Sequence, residues 1–282
     1  MQIAKKKSAK LAAFQGEPGA FSHIAARQLL GKRVHVLPCP SFAEVFGALE
    51  AGRATHAVIP IENTLHGSIL ENYDHLLKHN LHIAGETSVR ISHQLIAMPG
   101  SNFPSIKQVY SHPVALNQCR SFFERHAGIE AVPYYDTAGS VKMLRRERPE
   151  GAAAIASAGA AEIYRGVVLK RNIEDDARNF TRFFLLTKQA ARVGGGAGWK
   201  TSLVFSTPNA PGALFKAMAC FALRGLNLSK IESRPLRGKP WEYLFYVDLL
   251  GSTHDKAVRS ALDNLSELAP MVRVFGSYRT ST

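Results

Sequence analysis

Five short stretches of the 282-residue chain place hydroxyl, amide and carboxylate side chains beside Gly or Pro where an apolar run stops or resumes. They are GEPGAFSH (16–23), IPIENTLHGS (59–68), SHPVALNQ (111–118), DTAGS (136–140) and NFTRFF (179–184). The first four sit where a strand should end and a helix begin, and a helix N-terminus there offers unpaired backbone N–H groups to an anion. Taken singly, such residues are ordinary turn chemistry. Four of them in one α/β frame point to a single anion-lined cleft. In the fifth stretch an extended backbone puts Thr181 and Phe183 on one face and Arg182 on the other. A β-branched residue entering a buried strand is the plainer reading of that segment.

Two other chemistries are disfavoured. His75 and His79 are one helical turn apart, with His82 beyond, but no Cys or carboxylate joins them at a metal-ligand spacing, so a solvated helix face is expected. Ser111 and His112 are adjacent, which on a strand turns them to opposite faces, and no Gly-x-Ser-x-Gly elbow supports a hydrolase triad. Further along, NAPGALF (209–215) puts Gly212 at the first turn of a helix, and IESRP (231–235) breaks a strand at Arg234 before Pro235. These two polar breaks suit the edge of an amino-acid-binding domain.

The elements that must position these groups follow from periodicity. Strands are expected at 11–15, 34–37, 57–60, 93–98, 108–111, 131–135, 152–156 and 182–187, alternating with helices at 22–30, 42–47, 68–78, 113–125, 137–145 and 158–166. This alternation implies α/β units with parallel strands. After GGGAG (194–198), a connector with little to pack, the order becomes strand 201–207, helix 212–224, strands 227–236 and 243–251, helix 254–268 and strand 272–278. That is the β-α-β-β-α-β arrangement, with two helices on one face of an antiparallel sheet.

Composition bounds the remaining options. A chain that is 46% hydrophobic and 282 residues long fits two core-bearing domains. Cys39, Cys119 and Cys220 are too few and too scattered for a disulfide framework, so a reduced, cytoplasmic chain is expected. No apolar run suits a signal peptide or a membrane span. Lys and Arg total 35 against 22 for Asp and Glu, a formal charge of +13 that invites an anionic partner. Residues 201–282 carry 10 basic and 6 acidic side chains, leaving +9 for the rest. So diffuse a surplus, without interleaved aromatic and basic residues, argues against nucleic acid.

Together with IPIENTLHGSILENYDHL (59–76), AAIASAGAAEIY (153–164), PGALFKA (211–217) and KIESRP (230–235), these stretches resemble in order and spacing prephenate dehydratase followed by an ACT regulatory domain. The resemblance runs from about Ala12 to Tyr278. It implies a catalytic domain over 11–190 built as two α/β lobes of the periplasmic-binding-protein type, a Gly-rich linker over 191–200, and a ferredoxin-like ACT domain over 201–279. The implied reaction is decarboxylation and dehydration of prephenate to phenylpyruvate on the route to L-phenylalanine, with no cofactor.

By the same resemblance Thr181 is the essential threonine, a donor to the departing hydroxyl, and Glu62 is the carboxylate expected to assist it. Asn63, Ser111 and Gln118 would hold the substrate by neutral hydrogen bonds, Arg182 would meet a carboxylate, and Phe183 would line the site. In the ACT domain Gly212, Ala213 and Leu214, with Glu232, Ser233, Arg234 and Pro235, would bind L-phenylalanine as a feedback inhibitor across a homodimer or homotetramer. About ten residues precede the first catalytic strand, so a fused chorismate mutase is not expected. Two alternatives stand beside this reading: arogenate dehydratase, and an amino-acid sensor without activity.

Overall fold

The computed structural model describes residues 10–236, 238–239 and 241–280. Cα proximity divides the chain into two compact units, one of residues up to 79 with 87–184, the other of 80–86 with 185–282.

In the first unit, the first lobe begins with β1 (Leu11–Gln15), α1 (Phe21–Leu30), β2 (His35–Cys39), α2 (Phe42–Glu50), β3 (His56–Asn63), β4 (Gly67–Ser68) and α3 (Leu70–Lys78), and takes the second half, 87–90, of β5 (His82–Arg90). β1 lies between β2 and β3, parallel to both, and its Ala12, Ala13 and Phe14 are fully buried. Burying a ring such as Phe14 contributes about 1.5–3 kcal/mol. The Ser41 hydroxyl accepts the Glu44 N–H at 3.3 Å and so starts α2.

The second lobe contains β6 (Gln94–Ala97), β7 (Gln108–Ser111), α4 (Pro113–Asn117), α5 (Arg120–Glu124), β8 (Glu130–Pro133), α6 (Thr137–Glu147), β9 (Ala152–Ala156), α7 (Ala158–Tyr164) and β10 (Val167–Lys170). Its sheet order is β10-β6-β9-β7-β8, with β9 wholly buried at the centre. Asp136 caps α6, accepting the Gly139 N–H at 2.7 Å, and Ser157 caps α7. The chain then returns as β11 (Phe180–Thr187), which enters the first sheet between β3 and β5 to give the order β2-β1-β3-β11-β5, with β4 on β3. The two crossings between lobes are tied together, since Ile91 N donates to Asn179 O at 2.8 Å and Ile173 N to His93 O at 3.0 Å.

In the second unit, β12 (Trp199–Thr207), α8 (Ala213–Ala222), β13 (Leu228–Pro235), β14 (Tyr243–Leu250), α9 (Lys256–Leu268) and β15 (Met271–Arg279) form an antiparallel sheet in the order β13-β14-β12-β15. The apolar sides of α8 and α9 pack on Leu203, Phe205, Phe245, Val247 and Leu249. This is the expected βαββαβ fold. Residues 80–86 belong here too: the Glu86 carboxylate meets Lys200 Nζ at 2.7 Å, and Gly276 lies against the carbonyl of Ile83.

Four expectations are corrected. The sheets are mixed, because β6 runs antiparallel to both β9 and β10. The single helix over 113–125 is two short ones, divided where Cys119 leaves helical geometry at φ −127°, ψ 32°. β5 was not anticipated, since HIAGETSVR mixes Gly and polar residues through the strand. The glycine connector is tethered: Gly196 N donates to Asp255 at 3.1 Å, and the Ser252 hydroxyl donates to the Gly194 carbonyl at 2.5 Å.

Candidate active site

A cavity of about 650 Å³ in the first unit is lined from several sides by the starts of helices. Phe21 and Ser22 open α1, Ser41 and Phe42 open α2, and Thr137 opens α6. Each brings backbone N–H groups and the positive end of a helix dipole toward the space. Among the described residues of the lining there is no Lys or Arg; the ionisable ones are Glu71, His66, His93 and His112. A bound anion would therefore be met mainly by backbone dipoles and neutral donors.

Thr181 and Phe183 share the inner face of β11 and line this cavity, as strand alternation requires. Thr181 is buried, and its Oγ1 accepts a hydrogen bond from Asn63 Nδ2 at 3.0 Å. Asn63 Nδ2 also donates to Asn179 Oδ1 at 2.7 Å, while Asn63 Oδ1 accepts the backbone N–H groups of Leu65 at 2.9 Å and His66 at 3.0 Å. The backbone thus dictates which way the Asn63 amide points. Because Thr181 Oγ1 accepts from that amide, the hydroxyl hydrogen remains for a ligand.

Gln118 ends α4 and also lines the cavity, with His93 Nε2 2.8 Å from its Oε1 and His66 Nδ1 3.4 Å from its Nε2. His93 is 1% exposed, and burial lowers its pKa from 6.5 against the opposing influence of Gln118 and Glu174. Its ring is neutral at pH 7. Asp136, the α6 cap, is shifted the other way: burial raises its pKa, opposed in part by the Gly139 N–H.

Three residues expected in the site lie elsewhere. Arg182 points away from Thr181, its Nη1 3.7 Å from Glu62 Oε2 and its guanidinium over the Phe184 ring. Glu62 and Arg182 thus face each other rather than the cavity, because each adjoins, on its strand, a residue that faces inward. Ser111 is fully buried, and its hydroxyl donates to the Ile155 carbonyl at 2.6 Å, which makes it a strut within the second sheet. His66 and His93 are the residues that sequence reasoning missed. The signal for His93 was its place at the head of an expected strand, next to Ser92.

His75 and His79 stack on Phe46, with His79 2.9 Å from Glu50, and no cluster of three metal-ligating side chains occurs among the described residues. In the second unit, Gly212 precedes α8 in the left-handed conformation at φ 75°, with Ala213 and Leu214 in the first turn. On β13, Ser233 pairs with Phe245 and so shares the helix side of the sheet. Glu232 and Arg234 pair with Tyr246 and Leu244 on the reverse side, and Pro235 ends the strand. The two expected effector segments therefore present only part of their side chains to a common face.

The family model for prephenate dehydratase matches residues 12–191, and that for the ACT domain matches 201–267. The chain belongs to the prephenate dehydratase family. It is 43% identical over 279 residues to arogenate dehydratase/prephenate dehydratase 2, chloroplastic, of Arabidopsis thaliana, covering 96% of this chain and 73% of that one. Among solved structures, a prephenate dehydratase from Arthrobacter aurescens in complex with L-Phe superposes with TM-score 0.86 and 32% identity, covering 95% of this chain and 90% of that one. GqqA, described as a novel type of quorum quenching acylase, superposes with TM-score 0.89 and 36% identity over 96% and 98% of the two chains. As a member of this prephenate dehydratase family the chain is a hydro-lyase. No helix among its described residues is long and apolar enough to cross a membrane.

Proposed function

We propose that the enzyme converts prephenate to phenylpyruvate within L-phenylalanine biosynthesis. The observation that carries this is the Asn63–Thr181 pair, which leaves one hydroxyl hydrogen unused in a cavity ringed by helix N-termini. The bond from the ring to its carboxylate breaks and carbon dioxide leaves. Its electron pair enters the ring, and the C4–O bond breaks with its own pair on oxygen. A proton from solvent completes the departing water. Thr181 is far too weak an acid to supply that proton outright; it donates a hydrogen bond that strengthens as charge develops on the leaving oxygen. Asn63 holds the hydroxyl, Gln118 and the helix N-termini hold the carboxylates, and Phe183 packs beside Thr181. No ionised acid is assigned to Glu62.

Arogenate is the second reading. Glu71 lines the cavity, and its carboxylate would pair with the ammonium that arogenate carries where prephenate has a ketone. Purified protein assayed with both substrates decides between them. Turnover of neither would leave the sensor reading and sink the catalytic one. An acylase reading, after GqqA, is not adopted, because Thr181 Oγ1 is held by an amide rather than by a base that would make it a nucleophile.

The catalytic domain is taken as 11–190 and the regulatory domain as 201–279. L-phenylalanine binding at the Gly212–Leu214 turn, with Ser233, in a homodimer or homotetramer accounts for the ACT fold and for the exposed apolar Leu214, Phe215 and Ile231. Millimolar phenylalanine should lower activity or change the sedimentation coefficient; no effect on either would remove this part.

A further inference from the structure

His93, Gln118 and His66 lie in a row that reaches the amide holding Thr181. His93 Nε2 meets Gln118 Oε1 at 2.8 Å and Gln118 Nε2 meets His66 Nδ1 at 3.4 Å; the same His66 nitrogen lies 3.1 Å from Asn63 Oδ1, to which it donates only in the tautomer that cannot accept from Gln118. The Asn63 end cannot turn, because its oxygen is fixed by two backbone N–H groups and its nitrogen by three oxygens. Gln118 is different. Its main chain is anchored, with N–H to Val114 O at 3.1 Å and C=O to Asp175 N at 2.7 Å, but among the described residues its side-chain amide meets only the two imidazoles. A primary amide so held can be reversed by exchanging the roles of its neighbours.

His93 removes that freedom. It is 1% exposed and fixed at both ends: its backbone N–H donates to Glu174 Oε2 at 2.8 Å, the same buried carboxylate pairs with Arg90 at 2.7 Å, and its ring stands edge-on to Phe21. The other ring nitrogen, Nδ1, is buried without a hydrogen-bond partner among the described residues. A buried N–H with no acceptor is rarer and costlier than a bare lone pair, so the single hydrogen of the neutral ring belongs on Nε2, where Gln118 Oε1 accepts it. The amide oxygen is thereby committed to His93, and the NH2 group must face the cavity and His66.

We infer that His93 is a positioning residue: its one ring N–H, with no other acceptor in reach among the described residues, locks the Gln118 amide so that bound substrate meets N–H donors rather than a carbonyl oxygen. This rests on the dehydratase reading above, in which the ligand is a carboxylate-bearing anion. Reversing the amide would set oxygen against oxygen, a loss expressed in binding more than in the chemical step.

The test is a double-mutant cycle on the substrate that the wild-type protein turns over, with His93→Phe, Gln118→Ala and the pair, and with His93→Asn as the conservative variant. His93→Phe should raise KM about ten-fold with kcat within about three-fold, the worth of one buried hydrogen bond. Gln118→Ala should do the same, and the double variant should be no worse than Gln118→Ala alone. His93→Asn, which keeps an N–H donor, should recover most of the loss. Multiplying effects, or an unchanged KM in His93→Phe, would overturn the inference. Should His93→Phe not fold, imidazole ¹⁵N spectra of wild type and Gln118→Ala still decide it: a neutral Nε2–H tautomer whose signal moves in the variant supports the lock, and an Nδ1–H tautomer refutes it. Those spectra need no turnover, so failure of the lock and failure of the dehydratase reading are separable.

Discussion

Asn63 Nδ2 lies 3.0 Å from Thr181 Oγ1, and the same amide is pinned through its oxygen by the N–H groups of Leu65 and His66. The turn that follows β3 therefore sets the direction of a hydroxyl on β11, 118 residues away. Neither residue is charged. The pair orients one hydrogen, and orientation is what a threonine needs if it is to stabilise a developing oxyanion.

Thr181→Ala should lower kcat by about 10² or more with an unchanged melting temperature, and Thr181→Ser should keep most of the activity. Asn63→Asp is the sharper variant. It retains an oxygen for Leu65 and His66 but loses the N–H donors toward Thr181 and Asn179, so kcat should fall by about ten-fold or more. Steady-state formation of product checks all three. Wild-type kcat in Asn63→Asp would detach Thr181 from its partner.

Glu62→Gln should leave kcat/KM within about three-fold of wild type. The carboxylate faces Arg182 at 3.7 Å and is not among the residues that line the cavity. The ion pair is partly exposed and contributes about 1 kcal/mol or less to stability. A hundred-fold loss of kcat in Glu62→Gln would return it to the mechanism.

The contrast between Thr181 and Glu62 shows what could be read from residues alone. Alternation on β11 places Thr181 and Phe183 together and Arg182 opposite, which needs nothing beyond the pleat of a strand. On β3 the same rule separates Glu62 from Asn63, but the expectation for Glu62 came from the resemblance, as the carboxylate to assist Thr181, and not from the pleat of the strand. Ser111 was legible as a strand end but not as a strut, because its partner, the Ile155 carbonyl, is 44 residues distant. The second domain was readable nearly in full, since its elements are regular and its turns carry Gly and Pro. β5 and residues 80–86 were not, because their burial is set by partners such as Lys200 and Gly276 from the far end of the chain.

Thermal stability should fall as pH is lowered from 7.5 to 5.5. Burial holds the pKa of His23, His56, His75 and His93 below 6.5 in the folded chain. Between 6.5 and those lowered values the unfolded chain binds protons that the folded one refuses, so stability present above pH 6.5 is lost through that window. Asp136, raised by burial from 3.8, works in the opposite sense, since the folded chain takes up its proton before the unfolded one does as the pH falls. Scanning calorimetry across the range checks the sign; a melting temperature that rises toward pH 5.5 would contradict it.

Residues 80–86 should unfold with the second unit. The only two tryptophans, Trp199 and Trp241, both belong to that unit, so their fluorescence reports it selectively. Glu86 and Lys200 form a buried pair, with side chains 1% and 13% exposed. Lys200→Met strips the carboxylate of that cation and should destabilise the tryptophan-detected transition by about 3 kcal/mol. Gly276→Ala puts a Cβ 2.2 Å from the Ile83 carbonyl oxygen, an overlap that only a backbone shift relieves, at a cost of about 1–3 kcal/mol. Replacing both charges, with Glu86→Leu added to Lys200→Met, should recover much of the first loss, because an apolar pair avoids the desolvation that the buried carboxylate suffers once Lys200 is gone. Urea titrations followed by fluorescence decide the matter. If Gly276→Ala leaves the midpoint where it is in wild type, residues 80–86 do not share the cooperative unit of the C-terminal sheet.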